Sequence, residues 1–178
     1  MTDRPPHNAP TDSYPAGLDS ATYSDGAGSE PALDERLARE TRVVAALSSG
    51  TLRLADERRW FWTVIVPHRA GATELHHLPA AERSALMEDA AQLSEAVAEI
   101  TKCQSVNIAM LGNVVPQLHL HVVARHADDP AWPGPVWGHG EREPLDQEEA
   151  DRRMVALRDG LGLGRHGFGK SPSRTITR

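Results

Sequence analysis

The strongest constraint on the fold of this chain is the alternation of polar and apolar residues from Gln117 to Arg125. Successive side chains of a β-strand point to opposite faces of its sheet, so this alternation predicts a strand. One face is expected to be an ordinary core face, and the other carries polar side chains about 6.6 Å apart, twice the rise per residue. The core face comprises Leu118, Leu120, Val122 and Ala124, and the polar face comprises Gln117, His119, His121 and Arg125.

Apolar patterns elsewhere predict further strands and helices around this strand. Alternating or continuous apolar runs predict strands at 51–56, 60–67 and 105–111. Helical periodicity predicts a helix over 33–47 that is ended by Gly50, a long helix from about Pro79 to Lys102, and a polar helix over roughly 146–159. Strands that cluster in pairs around one long helix indicate an α+β domain with an antiparallel sheet.

Composition separates this central domain from two tails. Residues 1–30 are rich in Pro, Ser, Thr, Asp and Gly and contain few large apolar side chains, so we expect them to be disordered. Residues 161–178 form a Gly-rich basic tail without an acidic residue. The folded domain is therefore expected to span residues 31–160.

Charge and cysteine content restrict the class of protein. The 178 residues carry 19 Lys and Arg against 25 Asp and Glu, a formal net charge of −6, so no nucleic-acid partner is expected. The single cysteine, Cys103, excludes a disulfide framework and a cysteine-based zinc site. The sequence has no apolar run of membrane-spanning length and no apolar signal region, so we expect a cytoplasmic protein with no membrane partner.

The row of polar side chains that contains His119 and His121 admits three interpretations. It is a polar face in contact with solvent, a metal site, or a site for nucleophilic catalysis at phosphorus. A hydrolytic zinc site needs a third protein ligand, which would have to come from a loop histidine such as His76, His77 or His139. A neutral imidazole can carry a phosphoryl or nucleotidyl group near pH 7, and a second donor beside it stabilises charge on the phosphate oxygens.

The segment SVNIAMLGNVVPQLHLHVVAR, followed by WPGPVWG, resembles the histidine triad (HIT) family of nucleotide hydrolases and transferases. The family pattern alternates histidines with apolar residues and fits Gln117 to Val123, with Gln117 in place of the first histidine, as in a bacterial branch of the family. Upstream, LDERLARET and WFWTVIVPHRAGATELHHL fit the same branch. The resemblance covers roughly residues 32–140. It implies a HIT-like antiparallel sheet with one long and one or two shorter helices, and a homodimer.

The resemblance also implies roles for particular residues. His119 matches the histidine that attacks the α-phosphorus and becomes nucleotidylated, with its Nδ1–H held by the backbone near position 117. His121 matches the histidine that contacts the transferred phosphate, and Gln117 occupies the position near the leaving group. Glu57 is expected to hold the ribose hydroxyls. Contacts in the phosphate region are expected for Asn107, Gly112, Asn113 and Val114.

The activity implied by the resemblance is hydrolysis or transfer at the α-phosphorus of a nucleotide. The expected substrate is a purine nucleotide: a nucleoside polyphosphate, a dinucleoside polyphosphate such as a diadenosine polyphosphate, or a nucleotide phosphoramidate. No cofactor and no metal are expected.

Three departures from the family pattern keep a second hypothesis open, a nucleotide-binding module with little or no turnover. Gln117 cannot act as a general acid, because a carboxamide has no titratable proton near neutral pH. Residues 59–62 replace a segment that contains a histidine in better-known members. Asp56-Glu57 stands where the branch has Asn-Asp.

Overall fold

In the computed structural model, which describes residues 32–163, five strands form one antiparallel sheet. Its strand order is β1-β2-β3-β5-β4, where the strands are β1 (Thr41–Ala46), β2 (Gly50–Ala55), β3 (Trp62–Pro67), β4 (Ser105–Met110) and β5 (Leu120–Arg125). The described range also contains one short 3-10 turn, Leu75–His77, and three α-helices: α1 (Glu35–Glu40), α2 (Ala80–Thr101) and α3 (Gln147–Gly160). This is the predicted α+β class, with one long and two shorter helices.

The prediction of one helix over 33–47 is wrong in its second half. Helix α1 ends at Glu40, and the next six residues form β1, which pairs with β2 from Thr41 opposite Ala55 to Ala46 opposite Thr51. The β-branched side chains of Thr41, Val43 and Val44 favour the extended conformation, and the hairpin with β2 supplies hydrogen-bond partners that a helical period cannot reveal.

Gly50 is accordingly the first residue of β2, where the sequence pattern suggested the end of a helix. A Cβ at this position would lie 2.2 Å from the carbonyl oxygen of Val66 on β3. Only glycine therefore allows β2 and β3 to approach this closely at their shared end.

The two faces of the sheet have different coverings. Helices α2 and α3 pack on one face and form the main core with apolar side chains from the strands. On the other face, Leu37 of α1 packs on Val64 and Val66, and Val136 from the loop after β5 packs on Val123. The face that carries the polar row is therefore covered at both ends.

Alternation along β5 is confirmed. Leu118, Leu120, Val122 and Ala124 all belong to the core under the helices. The regular strand begins only at Leu120, because the N–H of Leu118 donates to the carbonyl of Ala72 (2.9 Å), outside the sheet. His119 consequently lies at the entry to β5, one residue before the regular strand begins.

The long helix and the last helix are confirmed close to their predicted bounds. Helix α2 begins after Pro79 and ends at Thr101. Lys102 follows as its C-cap in a left-handed conformation (φ 53°) and donates its N–H to the carbonyl of Ala98. Helix α3 begins after Asp146, whose carboxylate accepts from the N–H of Glu149 at 2.8 Å and so caps the helix.

The predicted tail 1–30 and most of the predicted tail 161–178 lie outside the described residues. Within residues 32–163, no helix is long and apolar enough to cross a membrane.

Candidate active site

Two histidines lie side by side at the start of β5. His119 and His121 point to the same face of the sheet, and their ring centroids are 4.7 Å apart. Both are buried, with 6% and 8% of their surface exposed. The interpretation of this row as a polar solvent face is therefore wrong for the two histidines, whose imidazoles are buried side by side.

The backbone orients the ring of His119. Its Nδ1 lies 2.7 Å from the carbonyl oxygen of Gln117. A carbonyl oxygen only accepts, so Nδ1 carries the proton and Nε2 has the free lone pair. This is the hydrogen bond that the resemblance predicted.

His121 contacts aromatic rings from two neighbouring segments. The indole Nε1 of Trp62, on β3, lies 2.9 Å from its Nδ1, and the ring of Trp137 lies 5.5 Å from its ring. Burial, with a smaller contribution from the nearby His119, lowers the pKa of His121 to about 3. His121 is therefore neutral at physiological pH.

Gln117 uses its carboxamide to hold the segment that precedes α1. Its Oε1 accepts from the N–H of Asp34 at 2.8 Å, and its Nε2 donates to the carbonyl of Ala32 at 3.4 Å. Asp34 in turn caps α1 by accepting from the N–H of Arg36. The side chain expected near the leaving group thus connects the histidine segment to the helix that covers the same face.

The loop between β4 and β5 leads directly into His119 and contains Gly112, Asn113 and Val114. All three are exposed or partly exposed, and Val114 has 70% of its surface accessible. Because this loop leads into His119, its backbone lies at the same end of β5 as the two histidines. The structure therefore brings these three residues and His119 to one end of the sheet.

Asn107 lies further along the same face. It is on β4 opposite Val123, and its Oδ1 accepts from Nη1 of Arg125 at 2.7 Å. Its carboxamide is therefore oriented by a buried guanidinium, and it lies nearer to His121 than to His119 along the sheet.

Glu57 is not brought together with the histidines. Leu52 of β2 lies opposite Ile65, and Ile65 lies opposite Leu120, so His119 is near the start of β2 whereas Glu57 follows its end. Both oxygens of Glu57 contact Arg59, at 2.8 and 2.7 Å. Burial opposes ionisation of Glu57, but the hydrogen bonds and charge of Arg59 outweigh it and hold the pKa of this carboxyl below its usual range. The ribose role expected for Glu57 gains no support from this placement.

Arg125, at the far end of the polar face, is part of a buried ion pair. Its Nε lies 2.8 Å from Asp129, and its Nη2 also donates to the carbonyl of Gly134. Burial opposes ionisation of Asp129, but hydrogen bonds from Arg125 and from the N–H of Ala131, together with the charge of Arg125, outweigh it and lower the pKa of Asp129 to about 2. The pair anchors the loop that carries Trp137 against His121.

Sequence reasoning missed Trp62 as a site residue. Trp62 lies opposite Val123, and Val64 lies opposite His121, so Trp62 shares the face of the histidines. Alternation along 60–67 predicts that Trp62 and Val64 lie on one face of the sheet and Thr63 and Ile65 on the other. Only the register between β3 and β5 shows that the face of Trp62 is the face of His121.

The metal interpretation lacks a third ligand. Between residues 32 and 163, no group of three or more His, Cys, Asp or Glu side chains is arranged to hold a metal ion. His76 and His77 contact each other at the 3-10 turn, and His139 packs against Trp60.

Fold and site together define an α+β protein with a pair of buried histidines at the entry to a central strand. A family profile for the HIT domain matches residues 40–128. The chain is also similar to solved histidine triad proteins from three bacteria. That from Sinorhizobium meliloti is 37% identical, over 72% of this chain and 96% of that one, with a TM-score of 0.71.

The other two structures are similar to the same degree. The protein from Bradyrhizobium japonicum is 36% identical, over 75% of this chain and 99% of that one, with a TM-score of 0.72. The protein from Marinobacter aquaeolei is 35% identical, over 76% and 98%, with a TM-score of 0.73. No curated protein matches the chain.

The chain belongs to the HIT domain family. Membership in this family indicates nucleotide binding, or hydrolysis or transfer of nucleotides.

Proposed function

We propose that this protein is a hydrolase or transferase that acts at the α-phosphorus of a purine nucleotide through a nucleotidyl-histidine intermediate. The observation that carries the proposal is the hydrogen bond of 2.7 Å between Nδ1 of His119 and the carbonyl of Gln117. It leaves Nε2 as a nucleophile beside the neutral ring of His121, whose centroid lies 4.7 Å from that of His119. The expected substrates are nucleoside polyphosphates, dinucleoside polyphosphates and nucleotide phosphoramidates.

In the first step, the lone pair of His119 Nε2 forms a bond to the α-phosphorus while the bond from phosphorus to the leaving group breaks. The electron pair of the broken bond stays on the leaving group, and an amine leaving group also takes a proton from solvent. Nδ1 keeps its proton and its hydrogen bond to the carbonyl of Gln117. The positive charge that the ring acquires therefore lies beside an acceptor.

In the second step, a water oxygen attacks the same phosphorus. The bond between phosphorus and Nε2 breaks, its electron pair returns to Nε2, and the proton of the water passes to solvent. A hydroxyl of an acceptor molecule in place of water would make the reaction a transfer. Backbone N–H groups of Gly112, Asn113 and Val114, with the side chain of Asn107, are proposed to contact the phosphates.

We also assign the chain to the branch of the family with Gln in the first motif position. Both polar ends of Gln117 are engaged with Ala32 and Asp34, and a carboxamide has no proton to give to a leaving group. The site therefore favours leaving groups that depart as stable anions, such as phosphate chains, over amines. Glu57 is not part of the proposal, because Arg59 occupies both of its oxygens. A homodimer remains an expectation from the resemblance, and a cytoplasmic location remains an expectation from the sequence.

A second candidate, a nucleotide-binding module with little turnover, is favoured by the same engagement of Gln117. It predicts that nucleotide binding survives the change His119→Ala and that no product forms. The two candidates therefore differ in turnover and not in affinity.

The position of attack can be tested by hydrolysis of diadenosine triphosphate in water enriched in oxygen-18. Attack at the α-phosphorus predicts that the label enters AMP, and label in ADP would contradict the proposal. The change His119→Ala should reduce turnover by at least about 10³-fold, as expected for loss of a nucleophile. The change His126→Asn is the matched control, because His126 lines a separate cavity with Arg58 and Arg152 and should retain activity.

A further inference from the structure

The contact between Trp62 and His121 specifies where the proton of His121 resides. An indole N–H can donate a hydrogen bond but cannot accept one. Because the Nε1 of Trp62 lies 2.9 Å from Nδ1 of His121, Nδ1 must be the unprotonated nitrogen. A neutral imidazole has one proton, so that proton is on Nε2.

The surroundings of His121 favour this neutral form. Its ring packs between the rings of Trp62, His119 and Trp137, at centroid distances of 5.5, 4.7 and 5.5 Å. Two charged side chains lie on the same face. Arg53, on β2, lies opposite Val64 of β3, which in turn lies opposite His121, and Arg125 pairs with Asp129. No carboxylate in residues 32–163 forms a hydrogen bond or an ion pair with His121, so nothing described there stabilises an imidazolium.

The two histidines are consequently opposite tautomers. The backbone carbonyl of Gln117 fixes His119 with its proton on Nδ1 and a lone pair on Nε2. The indole of Trp62 fixes His121 with a lone pair on Nδ1 and its proton on Nε2. In the described part of the chain, neither Nε2 has a hydrogen-bond partner, so one nucleophilic atom and one donor remain for a ligand.

We infer that Trp62 is a positioning residue that holds His121 as a neutral Nε2–H donor to a phosphate oxygen of the substrate. The inference rests on the proposed function, since it assigns the donor to the transferred phosphate. With the other tautomer, His121 would present a lone pair to an anionic oxygen and would repel it. Trp62 therefore acts through His121 and does not need to touch the substrate.

The change Trp62→Phe removes the indole N–H and keeps an aromatic ring on β3. It frees Nδ1 of His121 to take up the proton, so the two tautomers become mixed. The change Trp137→Phe is the matched control, because the Trp137 ring is equally close to His121 but its Nε1 makes no hydrogen bond within the described residues.

The test is a two-bond ¹H–¹⁵N NMR spectrum of the full-length, uniformly ¹⁵N-labelled protein at pH 7 without substrate. His121 should show a protonated Nε2 and an unprotonated Nδ1 in the wild type and in Trp137→Phe, with His119 showing the reverse. In Trp62→Phe, a protonated Nδ1 of His121 should appear while His119 is unchanged. A protonated Nδ1 of His121 in the wild type, or an unchanged His121 in Trp62→Phe, would overturn the inference.

A kinetic measurement separates this inference from the proposed function. With diadenosine triphosphate, Trp62→Phe should lower kcat by up to about 10²-fold, the lower end of the loss expected when one transition-state donor is removed. The KM should change far less. Loss of the tautomer without loss of kcat would overturn the role of Trp62 even if His119 is the nucleophile. Absence of turnover in the wild type would instead count against the proposed function.

Discussion

At the scale of single residues, the site depends on which nitrogen of each imidazole is protonated. The hydrogen bond between His119 and the carbonyl of Gln117 was expected from the resemblance to the HIT family, and it joins residues only two apart in the sequence. The contact between Trp62 and His121 was not predictable. The two residues are 59 positions apart in the sequence, and their contact depends on the register between β3 and β5. The engagement of Gln117 with Ala32 and Asp34 is similarly hidden from the sequence, since it spans more than eighty residues.

The two hydrogen bonds of Gln117 predict a structural contribution. The change Gln117→Ala should lower the free energy of unfolding by about 1–2 kcal/mol, because two backbone groups lose a partner. Urea denaturation followed by circular dichroism measures this. Gln92→Ala is the control, since the hydrogen bond of Gln92 is exposed on α2 and its loss should cost less than about 0.5 kcal/mol. Equal effects of the two changes would contradict the assigned role.

The missing acid at position 117 predicts a preference among leaving groups. The change Gln117→His supplies a titratable group, so it should raise turnover of adenosine phosphoramidate relative to diadenosine triphosphate. The ratio of the two kcat/KM values measures this, and the ratio cancels any general loss of folded protein. A ratio that stays the same in the variant would show that protonation of the leaving group does not limit the reaction.

At the scale of elements, local pattern and strand pairing disagree over residues 41–46. Helical spacing of apolar residues continues past α1, yet the chain turns into β1, in which five of the six residues pair with β2 around an irregularity at Val44. Where the apolar pattern and the packing agree, as in α2 and in the alternation along β5, the sequence was sufficient to predict the element and its buried face. Bounds of α3 were also predictable, since Asp146 is a typical N-cap.

The close approach of β2 and β3 gives a prediction for this scale. The change Gly50→Ala should lower the free energy of unfolding by about 1–3 kcal/mol, since the new methyl group meets backbone atoms of Val66 and Pro67 that cannot move independently. Thermal unfolding measures the effect. A Cβ at Gly112 would have its nearest neighbour at 3.8 Å, so Gly112→Ala should leave the melting temperature almost unchanged. A similar stability for both variants would contradict the tight approach.

At the scale of the whole molecule, the sheet separates a core from a site. One face packs under α2 and α3, and the other holds the histidines under α1 and the loop anchored by Arg125 and Asp129. The α+β class was predictable from the strand and helix patterns, and the family was predictable from the histidine motif and the segments around it. The covering of the site was not, because it comes from segments on either side of the motif that meet only in the folded chain.

Burial of neutral His121 makes the stability of the fold depend on pH. The folded-state pKa of about 3 lies below the ordinary value of 6.5, so between these values the unfolded chain binds a proton that the folded chain does not. Stability is therefore retained above pH 6.5 and lost as the pH falls towards 3, by up to about 1.4 kcal/mol per pH unit from this group.

Urea denaturation between pH 6.5 and 4.5 tests this dependence. The change His121→Gln keeps an acceptor for Trp62 but removes the titration, so its stability should fall less steeply with pH than that of the wild type. Parallel curves for the two proteins would show that His121 is not the group responsible.

The central claim, that His119 becomes nucleotidylated, is tested most directly by trapping the covalent adduct. The full-length protein is mixed with diadenosine triphosphate, quenched without acid because the phosphorus–nitrogen bond is acid-labile, and weighed intact by mass spectrometry. A mass increase of one adenylyl group in the wild type, localised to His119 and absent from His119→Ala, is the predicted result. Product formation with no adduct at any time resolved by rapid quench, or an adduct that persists in His119→Ala, would contradict the account.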